Sequence, residues 1–265
     1  MASIEKSTQK ITSLYRAAQK EIVRELRDAS DFRRTQLESI QIQVDQVLDE
    51  LETQTELIVN EELRKHYTDG SFKVVSAFQS AGIPIAASLS QFDEEAIKAM
   101  FAETFTHFGQ GLQAANRDVA RIMSIARRER IRTLIAQGTI TGNTRREISK
   151  QIKAELSNGI TALRDRGGRK WSLDDYSEML ARTKMREATN EGVKNKMRQE
   201  GADLVQVSNH NSDHDACAAW EGKVLSISGE TEGYPTVEEA EAAGLMHPNC
   251  EHRYLVYRKG LAEFT

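Results

Sequence analysis

Both cysteines of this 265-residue chain, and four of its six histidines, fall between His210 and His252. The run HNSDHDACAAWEG carries His210, His214 and Cys217, and GLMHPNCEHRY carries His247, Cys250 and His252. Thiol and imidazole bind borderline metals, and the same two groups can form a nucleophile with its base. For a metal, the set is Cys217 from one loop with His247, Cys250 and His252 from another. That is a Cys2His2 zinc site, with His210 or His214 as substitutes, although neither half holds a C-x2-C or H-x3-H pair. Without a metal, the same residues describe a small packed module with buried cysteines and histidines bonded to backbone. A Cys217–Cys250 disulfide is disfavoured for a chain assembled in a cytosol. The catalytic alternatives are less complete. A zinc deaminase needs P-C-x-x-C, whereas Pro248-Asn249-Cys250 is followed by Glu251-His252. A Cys–His hydrolase lacks a placed third group, and Arg253 to Tyr257 suits a strand better than the helix of an HNH-like nuclease finger.

The elements that must position these residues are strands and turns. Leu204–Val207, Lys223–Ile227 and Tyr254–Tyr257 alternate or run apolar and predict three strands. Thr236 to Ala243 predicts a short helix, capped by Thr236 and ended by Gly244. Residues 201–265 therefore form a small α+β module with little core of its own, where a metal or a dense hydrogen-bond network would be useful.

Everything before Gly201 reads as helix. Residues 1–69 contain no glycine or proline. Their apolar positions, from Ile4, Ile11 and Leu14 to Val44, Val47 and Leu51, recur in steps of three and four. That spacing makes one apolar face for a helix–helix seam, within the chain or between chains. A slip in register near Asp28–Asp31 predicts two helices. Tyr67–Gly70 is expected to end this region, followed by a short helix over 71–80 and a break at Pro84. Asp93 is the expected cap of the next helix, whose Phe101, Phe105, Phe108 and Leu112 form a packing stripe and which stops at Gly138. Thr144 to Glu147 is a capping box for a further helix, and another runs from about Ser172 to Gln199. The fold class expected is mainly α, with long N-terminal helices and a small C-terminal α+β module. The segments are a long helical docking or coiled region (1–70), a helical domain (71–200) and the Cys/His module (201–265).

The charge is uneven. Arg117 to Glu200 holds 20 basic and 11 acidic residues, within a chain of net charge −4. Between its helices lies a basic loop with Arg164, Arg166, Arg169 and Lys170, the candidates for contact with nucleic-acid phosphate or an acidic partner. The competing reading is a solvated surface. No apolar run approaches a membrane span, and Met1–Lys6 has no apolar core for a signal peptide. Hydrophobic content of 39%, charged content of 29% and mean hydropathy −0.55 predict a soluble protein.

The ordered series Cys217-Ala218-Ala219-Trp220-Glu221-Gly222-Lys223-Val224, Ile227-Ser228-Gly229, Tyr234-Pro235 and Gly244-Leu245-Met246-His247-Pro248-Asn249-Cys250-Glu251-His252-Arg253 resembles the minor capsid, or head morphogenesis, proteins of tailed phages. These are the relatives of phage Mu protein F and of the SPP1 minor head protein. Glu251 stands where the family pattern usually has Arg, and Trp220 stands where a second cysteine is often found. The resemblance covers the chain from about Thr139 and leaves the N-terminal half unexplained. It implies a non-enzymatic structural protein of the virion, present in several copies inside the capsid near the portal vertex and assembled in the bacterial host cytoplasm. Its implied partners are the portal and capsid proteins and packaged DNA, with roles in procapsid assembly and DNA ejection. The alternative is a Cys/His-dependent nuclease or hydrolase.

Overall fold

A computed structural model describes residues 2–28, 33–137, 142–156, 159–164, 168–212 and 214–257. Its elements run α1 (Ala2–Asp28), α2 (Arg34–Ser80), α3 (Gln91–Gln137), α4 (Gly142–Glu155), β1 (Thr161–Arg164), β2 (Lys170–Ser172), α5 (Leu173–Gln199), β3 (Leu204–Val207), α6 (Asp215–Ala218), β4 (Val224–Ser226), α7 (Val237–Ala242) and β5 (Tyr254–Val256). The mainly helical class with a small C-terminal α+β region is borne out. No helix among the described residues is long and apolar enough to cross a membrane.

By its internal packing the chain divides into two units. One comprises residues 1–7, 59–104 and 179–265, and the other residues 8–58 and 105–178. The division falls within α1, α2, α3 and α5.

In the second unit the three-and-four spacing of residues 8–58 produces a buried intramolecular seam. Ile11, Ala18 and Ile22 of α1 and Ile40, Val44 and Leu48 of α2 are all buried. Tyr15 packs on Phe108 of α3 with ring centroids 5.5 Å apart and accepts a 3.2 Å bond from Thr55. The seam thus closes within the chain. Gln19 fastens the base of a hairpin: its Oε1 accepts from the Ile160 and Leu173 amides, and its Nε2 donates to Asp174 at 2.7 Å. That hairpin is β1 paired antiparallel with β2. The basic stretch expected to be loop therefore includes strand at both ends, because Leu163 and Trp171 pair across it.

The other unit corrects the expectation of a helix end at Gly70. α2 runs unbroken through it to Ser80. Here glycine serves close approach: a Cβ on Gly70 would lie 2.0 Å from the Thr189 carbonyl oxygen, and one on Gly192 would lie 2.0 Å from that of Tyr67. These two glycines let the backbones of α2 and α5 touch, and packing outweighs glycine's poor helix propensity of about 1 kcal/mol. Asp93 is likewise not the cap of α3. Ser90 takes that place, its Oγ accepting from the Asp93 amide while Asp93 accepts from the Ser90 amide at 2.7 Å, a reciprocal capping box.

β3 lies at the centre of a three-stranded antiparallel sheet of order β4-β3-β5. Thr236 caps α7 in a complete capping box with Glu239, as its sequence predicts. The core under this sheet is larger than the module alone supplies. Val74 and Phe78 of α2 and Val193 and Met197 of α5 are buried with Val205, Leu225, Val237, Leu245 and both cysteines.

Candidate metal centre

Helix α5 holds the second half of the cysteine–histidine segment in place. Thr183, Arg186 and Asn190 lie three and four residues apart, so they share one helix face. Thr183 Oγ1 accepts from the Asn249 amide at 3.2 Å, Arg186 donates to the Cys250 carbonyl, and Asn190 accepts from the Tyr254 amide at 3.1 Å. The loop so held contains two non-glycine residues with left-handed backbone, Met246 (φ 62°) and Asn249 (φ 64°). Asparagine tolerates that region, whereas methionine there is strained. Cys217 comes from the other side, on the single helical turn α6 that its sequence did not announce.

Three of the four residues in the expected ligand set converge. Cys217 (0% exposed), Cys250 (6%) and His252 (2%) form one buried cluster, their ligand atoms all within 4.8 Å of one another. The two Sγ atoms are 3.8 Å apart, and Cys250 Sγ is 3.2 Å from His252 Nδ1. His247 is not in that cluster. It stacks on His214 with ring centroids 4.2 Å apart, and the two form a second group with Cys217, again within 4.8 Å. Cys217 belongs to both groups. His210 lies beside His252 in an edge-on arrangement, its Nε2 2.8 Å from Ser208 Oγ.

The residue that sequence reasoning missed is Glu221. Its Oε1 is 2.8 Å from His252 Nε2 and also accepts from the His210 and Ser212 amides. The His252 bond, reinforced by these two amides, holds its carboxyl below the usual range. A carboxylate only accepts, so Nε2 carries the imidazole proton and Nδ1 keeps its lone pair toward the thiols. By the same logic, His247 Nδ1 donates to the Pro248 carbonyl at 2.8 Å and leaves Nε2 available. Glu221 stands four residues after Cys217, inside the run that carries the resemblance, and that position was its one signal in the sequence.

This donor set fits zinc. Two thiolates on one tetrahedral ion at about 2.3 Å would be about 3.8 Å apart, the separation the sulfurs already have. A carboxylate–histidine pair behind one ligand is the usual outer-shell partner of such an ion. Burial, with Cys250 beside it, pushes the Cys217 thiol up to about 11. In the absence of a cation Cys217 therefore favours the thiol, a poor nucleophile.

Three of the four basic candidates belong to the hairpin. Arg164 ends β1 and donates to the Gly168 carbonyl at 3.4 Å, Arg169 lies 4.6 Å over the Trp171 ring, and Lys170 opens β2. All three are exposed, and Arg166 lies outside the described residues.

Comparison with known proteins agrees with the resemblance. The family described as phage minor capsid protein 2 matches residues 2–265. A structural protein of Lactococcus phage LL-H is 28% identical over 109 residues, which is 38% of this chain and 29% of that protein. The chain thus matches less than a third of that relative's length. No solved structure matches.

Proposed function

Since the chain belongs to the phage minor capsid protein 2 family, a group of phage structural proteins, we propose that it is a minor head protein that works by docking rather than by turnover. In this reading it joins the portal during procapsid assembly, stays in several copies inside the capsid near that vertex, and takes part in DNA ejection. The observation that carries the reading is the family match across nearly the whole chain. The chemistry of the cluster supports it, since the thiols are buried, the Cys217 thiol is raised, and the histidine beside them is tied to a carboxylate. The enzyme alternative needs an accessible nucleophile, which this burial opposes.

Within the same proposal the cluster is a structural zinc centre. Cys217, Cys250 and His252 would hold the ion, with His247 or His214 as fourth ligand and Glu221 orienting His252. Bound zinc would supply crosslinking between the α6 loop and the loop before β5. Arg164, Arg166, Arg169 and Lys170 would meet DNA phosphate or an acidic surface. The test is co-expression with the cognate portal and capsid proteins, followed by co-purification, copy number and a hydrolysis assay. The expected result is binding to portal and no activity. Loss of a hydrolytic activity in a folded Cys217→Ala variant that still enters particles would establish the enzyme instead.

A further inference from the structure

A cleft of about 690 Å³ lies between α2, the N-terminus of α1, α5 and the strand β5. Its walls include the apolar Ile4, Phe72, Ala77, Val193 and Val256. Three cations line it as well: Lys73, Arg186 and Arg253. Among the described residues none of the three makes an ion pair. Arg186 is only 8% exposed and its Nε has no hydrogen-bond partner, and the buried Nε of Arg253 has none either. Buried arginines of native proteins are normally paired, so two unpaired guanidinium groups beside an unpaired lysine in one cleft wall point to an absent acceptor.

The charge balance identifies what kind of acceptor. The cleft's own carboxylates are Asp69 and Glu251, against three cations. His66, also in the wall, is kept toward its neutral form by burial and by Lys65, and it bonds to the Ser7 hydroxyl. One net positive charge remains, which matches one carboxylate rather than a dianionic phosphate. The apolar walls, with Phe72 52% exposed, match an apolar neighbour on the same ligand and not a duplex backbone. Lys73 is exposed as a residue, but the cleft wall desolvates its ammonium and Arg253 adds repulsion, so its pKa is lowered. A bound anion offsets both effects through its opposite charge.

We propose that this cleft takes an acidic side chain, flanked by apolar residues, from a partner protein of the virion, its carboxylate held among Lys73, Arg186 and Arg253. The proposal rests on the docking reading and names the chemistry of the partner. The experiment probes the full-length chain with overlapping peptides covering the cognate portal and major capsid proteins, each acidic peptide paired with its Gln or Asn counterpart. Acidic peptides should bind at least tenfold tighter than their neutral counterparts, and Lys73→Gln should remove that difference. Lys73 is exposed, so this variant keeps its melting temperature. Arg253→Gln serves as a second variant, judged only where its melting temperature is held. Equal binding of acidic and neutral peptides overturns the proposal, as does full displacement by millimolar phosphate or unchanged binding by a folded Lys73→Gln chain. If portal and capsid proteins co-purify with Lys73→Gln as well as with the wild type, the cleft proposal fails while the docking reading stands. If neither protein co-purifies with the wild type, the docking reading fails on its own.

Discussion

Glu221 shows how one side chain can settle the chemistry of its neighbours. It fixes the His252 tautomer, and through it the direction of a lone pair toward two sulfurs. Glu221→Gln can still accept, but it loses the charge that supports the imidazole's basicity. If the centre holds zinc, the purified wild type carries about one ion per chain, and the variant binds it about 10- to 100-fold more weakly. Elemental analysis and competition with a chelator measure both, and a metal-free wild type with unchanged stability after chelation counts against the centre. Binding must displace thiol protons, and the Cys217 thiol starts at about 11, so zinc affinity should fall as pH falls. A second residue acts through hydrogen bonds alone. Burial raises the Asp203 carboxyl, but the Ser226 and Thr231 hydroxyls and the Ser228 hydroxyl and amide outweigh it and hold the pKa at about 2. The folded pKa lies below the unfolded one, so the gain is full above about pH 4 and is lost as pH falls toward 2. Asp203 is half-exposed, so about 1 kcal/mol is the scale at neutral pH after screening. Asp203→Asn should cost that much at pH 7 and almost nothing near pH 2, as read by urea unfolding at the two pH values.

Among the elements, the close approach of α2 to α5 depends on two glycines. Gly192→Ala gains about 1 kcal/mol of helix propensity but drives a methyl into the Tyr67 carbonyl oxygen. All three atoms nearest that methyl are backbone, so the helices must separate, and we expect a net loss of about 2–3 kcal/mol. A melting temperature at or above that of the wild type would show that the helices part at no cost. The same pair explains what the sequence left hidden. Helix and strand periods were legible: the apolar steps along 1–58, the strand at Leu204–Val207 and the Thr236 cap all appear as expected. A glycine inside a helix has the same letter as one that ends it, so Gly70 read as a stop. Cys217, Cys250 and His252 stood out by type, but their distances depend on Thr183, Arg186 and Asn190 of α5, far away in sequence. The hairpin strands β1 and β2 were missed because runs of only four and three residues are too short to show a period.

For the molecule as a whole, the long apolar seam of the N-terminal helices closes on itself, so its buried positions are already covered within the chain. Val44 is fully buried. A partner must then be met by surface that is exposed in the folded chain, and the basic hairpin is such a surface. Binding there is charge-dominated and exposed, so it should be screened over about a Debye length and should weaken steeply between about 50 and 200 mM salt. We expect capture of cognate portal, or of duplex DNA, by the wild-type chain to fall over that range. Changing Arg164, Arg169 and Lys170 together to Gln should flatten the salt dependence by about 0.9 for each phosphate no longer neutralised if DNA is the partner. Because these side chains are exposed, the triple variant should keep its melting temperature, which separates weakened binding from unfolding. Val44→Asp is the contrasting variant: it places a charge in the closed seam and should unfold the helices around it, lowering the melting temperature at every salt concentration. Binding that ignores salt, and that the hairpin variant retains in full, would remove the basic surface from any docking role and turn attention to the apolar and acidic surfaces of the chain.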